Sequence, residues 1–122
     1  MGVMMENNKS YKKFAVWQDA HALARRIYTV TSKFPKEEMY GMTSQLRRSS
    51  LSVACNLVEG SGRQGQKELK QFTNIALGSL LETEYLLEFS KEIGYLSENE
   101  YYEIEQLRGR LGARLWNFYK AL

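Results

Sequence analysis

Apolar residues recur along this chain at three- and four-residue spacing in four separate blocks, the pattern of amphipathic helices. In the first block Trp17, Ala20, Ala24, Ile27, Thr31 and Phe34 share a face, with Tyr28 beside them. The spacing predicts a helix over 14–34. Pro35 ends it, because proline disfavours helical geometry at the preceding residue and has no amide to donate. A connector over 36–41 leads to a second helix over 45–59, with Thr43 or a neighbour as its N-cap. GSGRQGQ follows, with three glycines in seven residues, and reads as a turn. The third helix is expected over 66–93, stopped by Gly94. Ser97 and Glu100 form a capping box that opens the fourth, whose core stripe is Ile104, Leu107, Leu111, Leu115, Phe118 and Leu122.

Two helices depart from simple amphipathicity. On the second, Gln45, Arg48, Ser49, Ser52, Asn56 and Glu59 form a narrow polar stripe. Leu46, Ser50, Val53 and Leu57, with Leu51, Ala54 and Val58, form a broad apolar arc, and Arg47 falls inside it. A charge there is expensive without a partner. The expected partner is a carboxylate on the third helix, Glu82 or Glu84, which makes Arg47 a structural ion-pair residue. The competing reading makes Arg47 and Arg48 phosphate ligands, and Arg48, on the polar stripe, suits either.

The third helix is apolar on both sides. Leu69, Phe72, Ala76, Ser79, Thr83, Leu86, Leu87 and Ser90 give the expected core face, yet Leu77, Leu81, Tyr85 and Phe89 lie opposite. Exposed in a monomer, each large side chain would forgo about 1.5–3 kcal/mol of burial. A subunit interface is therefore expected along Leu77, Leu81, Tyr85 and Phe89. Gly109 and Gly112, which share a face with Trp116, read as a slot for the close approach of another helix or subunit.

Composition narrows the function. The 122 residues suit one domain, expected as a flexible tail over 1–12 and a bundle over 13–122. No apolar run is long enough to span a membrane, and the N-terminus MGVMMENNKS lacks the apolar core of a signal peptide. Cys55 is the sole cysteine and reads as a packing residue in a cytoplasmic protein. His21 is the only histidine, so no metal site or cofactor is expected. Glu82 and Glu84 point about 160° apart on their helix, and Glu88 completes no catalytic set with them, so no enzyme is expected. The spacing of a phosphate-binding P-loop is missing from GSGRQGQ. The formal charge of +3 conceals an uneven split. Residues 1–65 carry ten Lys/Arg and five Asp/Glu, and residues 66–122 carry seven and nine. Such a split suits pairing between helices of opposite sign, and it also permits attraction to polyanions.

The run Gln45-Leu46-Arg47-Arg48, followed by Asn56-Leu57-Val58-Glu59-Gly60-Ser61-Gly62-Arg63, resembles the small bundle proteins encoded in intervening sequences of bacterial 23S rRNA genes. The resemblance takes in Val16-Trp17, Ile27-Tyr28, Phe34-Pro35 and Tyr40-Gly41 upstream. Downstream it includes Phe72, Gly78-Ser79, Glu82, Glu84 and Gly94-Tyr95-Leu96. It implies an all-α, antiparallel, up-and-down four-helix bundle assembled as a ring-like homopentamer. A similar accessory protein of diversity-generating retroelements is thought to bind nucleic acid and a reverse transcriptase. The expected function is accordingly non-enzymatic binding of RNA or DNA through basic patches repeated by symmetry. Arg25, Arg26, Arg48, Arg63, Lys67 and Lys70 are the candidates, with Lys12, Lys13 and Lys33 nearby in type. The alternative is a scaffold for a protein partner such as a reverse transcriptase, with no nucleic-acid role.

Overall fold

The computed structural model describes residues 10–122 and contains helices and turns but no strand among them. Four helices form a bundle: α1 (Ala15–Thr31), α2 (Met42–Ser61), α3 (Gln66–Glu92) and α4 (Glu98–Ala121). Short 3-10 turns at Ser10–Lys13 and Lys36–Glu38 precede α1 and α2. The first nine positions of the expected tail lie outside the described residues. Its last three belong to the first turn, where Tyr11 stands edge-on to Trp17 at 5.0 Å.

Helix α1 stops at Thr31, three residues short of the predicted Phe34. Phe34 instead turns inward beyond the helix and packs at 5.2 Å against Tyr95. The buried stripe of α1 also shifts, taking in Val16, Leu23 and Val30, while the larger Trp17 sits half-buried at its edge. Thr43 does not cap α2. The N-cap position is Gly41, and the Glu38 carboxylate accepts from the Met42 backbone N–H at 2.9 Å. The capping box of α4 forms as its sequence requires, with Ser97 and Glu100 exchanging bonds of 3.1 and 3.0 Å.

Each helix packs on two neighbours, α1 and α3 both lying against α2 and α4, and the diagonal pairs barely touch. Partners along α1 and α4 run in opposite order: Asp19 meets Arg114, Arg26 meets Glu103, and Lys33 meets Glu100. Leu23, Ile27, Leu46, Leu57, Leu87, Ile104, Leu111 and Leu115 fill the centre. On α3 the buried face includes Thr73 and Leu80, whereas Leu69, Phe72 and Ser79 are only half-buried.

Candidate nucleic-acid interface

The motif helix α2 meets α3 along its supposed polar stripe. Ser49 is buried, and its hydroxyl lies 2.9 Å from that of Thr83. One turn further, the Ser52 and Ser79 hydroxyls are 2.9 Å apart, and the Asn56 amide donates to the Ser52 carbonyl. Small hydroxyl residues let the helices approach while satisfying each other's polar atoms. Gly60 completes the seam: a Cβ there would stand 2.8 Å from Phe72 Cβ and 3.0 Å from Leu69 Cδ1. The predicted slot at Gly109 and Gly112 is different in kind. A Cβ on Gly109 meets nothing within 4 Å, and one on Gly112 would make ordinary contacts with Arg108 and Leu80.

Arg47 is half-buried but faces no carboxylate among the described residues. Its Nε donates to Thr31 Oγ1 at 3.0 Å, a terminal nitrogen donates to the Tyr28 carbonyl at 3.4 Å, and its guanidinium carbon lies 4.5 Å from the centre of the Tyr28 ring. The expected pairing with Glu82 or Glu84 is therefore corrected. These acceptors sit in the last turn of α1, where carbonyls lack helical partners and the helix dipole favours a cation. Glu84 pairs instead with Arg108 of α4 at 3.3 Å, and Glu82 is exposed. Arg108 also binds Glu105, and that bond raises the guanidinium pKa above its ordinary value.

The helical arrangement sorts the remaining charges by end. Around the α2–α3 loop, Phe14 packs on Phe118 at 5.2 Å and Lys70 Nζ lies 4.9 Å over the Tyr119 ring. The start of α1, the end of α2, the start of α3 and the end of α4 thus share this end. It carries Lys12, Lys13, Arg63, Lys67, Lys70, Arg110, Arg114 and Lys120, against Asp19, Glu59 and Glu68. Asp19 is engaged by Arg114 at 2.8 Å and Arg110 at 3.9 Å, and Glu59 by Arg63 at 3.7 Å. Lys12, Lys13 and Lys67 are exposed and have no carboxylate partner among the described residues.

The opposite end is acidic. It holds Glu37, Glu38, Glu88, Glu92, Glu98, Glu100 and Glu103, against Arg26, Lys33, Lys36 and Lys91. There the Tyr95 hydroxyl donates to Glu38 at 2.7 Å and locks the two connectors together. The Met42 N–H, and next the Tyr95 hydroxyl, hold the Glu38 carboxyl below its usual pKa. The same bond to Glu38 raises the pKa of Tyr95.

Of the six predicted nucleic-acid contacts, Arg63, Lys67 and Lys70 therefore come together at the basic end. Arg25 and Arg26 lie past the middle of α1, away from that end, and Arg26 is committed to Glu103 at 2.9 Å. Arg48 lies elsewhere, in a groove of about 720 Å³ between α1 and α2 that also includes Tyr28, Tyr40, Arg47 and Leu51. Arg110, Arg114 and Lys120 escaped the sequence reading because their α4 positions join the loop end only through tertiary packing. Their spacing in sequence carried no such signal.

The predicted interface row is mixed. Leu81 is 66% exposed and Tyr85 63%, and Phe89 and Trp116 are also exposed. Leu77 instead packs half-buried against the core. It helps line a cleft of about 500 Å³ with Gly78, Leu81, Gly112 and Trp116. Among the described residues no cluster of three or more metal-ligating side chains occurs, and no helix is long and apolar enough to cross a membrane.

These features define a small four-helix bundle protein with charge divided between its ends. The chain belongs to the 23S rRNA-intervening sequence protein family, whose model matches residues 12–117. Its fold is similar to that of a Bacteroides thetaiotaomicron VPI-5482 protein of unknown function from the S23 ribosomal protein family. The two share 26% identity over 86% of this chain and 95% of the other, with a TM-score of 0.79. No curated protein matches the chain.

Proposed function

We propose that this protein is a non-enzymatic, cytoplasmic homo-oligomer of antiparallel, up-and-down bundles that holds RNA or DNA against its basic end. The observation that carries the reading is the gathering, among the described residues, of eight cations around the α2–α3 loop with only three carboxylates. A phosphate backbone binds such a surface by releasing condensed counterions. The opposite order of partners along α1 and α4 supports the antiparallel topology. The exposed Leu81 and Tyr85 support self-association, and the family resemblance makes a pentamer the expected number. Repetition of weak contacts around an oligomer turns them into avidity.

Fluorescence anisotropy with labelled RNA and DNA at rising salt tests this. Affinity falls steeply with salt and shows little base preference, because the cations address phosphate. Replacing Lys67 and Lys70 together with alanine weakens binding to every sequence and flattens the salt slope. Arg25→Ala, away from that end, changes it much less. Absence of binding at low salt would reject the reading and favour a scaffold for a protein partner.

A further inference from the structure

Resting on the self-association proposed above, we infer that the exposed α3 row of one subunit, Leu81, Tyr85 and Phe89, seats in the α1/α2 groove of a second copy, head to tail. Three observations meet in this assignment. The first is position. Because the helices are arranged in the order α1, α2, α3, α4 around the bundle, the α1/α2 groove and the α3 row lie on different sides. A contact between unlike faces leaves each pair of subunits with one free face of each kind, so it propagates instead of stopping at a dimer.

The second observation is charge. Arg47 and Arg48 line the groove, and no carboxylate among the described residues does. Along the α3 row, Glu82 and Glu88 are exposed, and neither has a basic partner among the described residues. Arg48 lacks an acidic partner in the same way. Apolar side chains flanked by glutamates thus face a groove of Tyr28, Met39, Tyr40 and Leu51 flanked by arginines. Complementary potentials of this kind set the register of an interface and reject wrong pairings.

The third is height along the bundle. The hydroxyl pairs Ser52–Ser79 and Ser49–Thr83 fix which α2 residues are level with which α3 residues. On that scale the groove, from Thr43 to Cys55, spans the level of α3 from Ala76 to Phe89. The row that fills it occupies the same level. A neighbour with its axis parallel therefore docks without sliding along the bundle, and such a contact closes into a ring when the rotation between neighbours divides a full turn. With the axes parallel, all basic ends then lie on one face of the assembly.

Complementation separates this arrangement from the alternatives. Leu51→Glu damages the groove and Tyr85→Lys damages the row, both at exposed positions. Circular dichroism checks that each variant keeps its helices, and Arg48→Glu and Leu81→Lys provide a second pair. Light scattering should show the intact protein as an oligomer and each variant as a monomer. Mixed in equal amounts, the two variants retain one good groove and one good row between them. They form a heterodimer of twice the chain mass, and anything larger only where the introduced charges, being of opposite sign, pair in turn. If Leu51→Glu and Arg48→Glu assemble normally, or the mixture stays monomeric, the pairing is wrong although self-association stands. A monomeric intact protein overturns both.

Discussion

The guanidinium of Arg47 lies 4.5 Å over the ring of Tyr28 while its Nε donates to Thr31 Oγ1, so one side chain of α2 closes the last turn of α1. Hydrogen bonds from a charged donor contribute more than neutral ones, and the stacked ring adds to them. Arg47→Ala is expected to lower stability by about 1–3 kcal/mol. Arg25→Ala, on an exposed face, should stay within about 0.5 kcal/mol. Chemical denaturation of both variants makes the comparison, and equal small effects would remove Arg47 from the structural framework.

Gly60 is required by the closeness of α2 and α3, with Phe72 Cβ only 2.8 Å from where its own Cβ would lie. Backbone or ring must shift to admit a methyl group, so Gly60→Ala should destabilise by about 1–3 kcal/mol. Gly109→Ala should do the opposite. Nothing lies within 4 Å of its added Cβ, and alanine in a helix interior gains about 0.5–1 kcal/mol over glycine. Thermal melts of the two variants should move in opposite directions.

The buried pair Ser49 and Thr83 can be tested by removing one hydroxyl. Thr83→Val keeps the shape but leaves the Ser49 hydroxyl without its partner across the seam. The expected loss is about 1 kcal/mol. Pairing it with Ser49→Ala should give a double variant less destabilised than the sum of the singles, because the second change removes the orphaned group. Strict additivity would mean the two hydroxyls do not interact.

The Glu38–Tyr95 bond predicts stability losses at both extremes of pH. The folded pKa of Glu38 is depressed, so its contribution is present above the unfolded value and lost as pH falls through the folded one. Glu100 acts in the same sense, chiefly through its bond from the Ser97 N–H. Tyr95 has a raised folded pKa, so its contribution is present below the ordinary tyrosine range and lost as pH rises through the folded value. Melting temperature followed across pH should show both limbs. Tyr95→Phe should shrink the alkaline limb to the part left by Tyr101, whose pKa burial also raises, and weaken the acid one. An unchanged profile would contradict the bond's role.

What the sequence determined by itself was whatever depends on neighbours three or four positions apart. That covers the four helices, the Ser97–Glu100 capping box and the doubly apolar character of α3, because periodicity and capping are local. It also covers the family, through the Gln45–Arg48 and Asn56–Arg63 runs, since these fix polar identities as well as rhythm. Contacts between helices were beyond its reach. The sequence marked Arg47 as a charge needing a partner, but only packing decided that the end of α1 supplies one. It showed Ser49 and Ser52 as polar, and tertiary structure turned that stripe inward against Thr83 and Ser79. It found an excess of cations in the first half of the chain. Folding brought Arg110, Arg114 and Lys120 to Arg63 and Lys67 and placed the excess at one end of the bundle. The physical reason is the same in each case: a helix period shows which residues share a face, and only the neighbouring helix decides what that face meets.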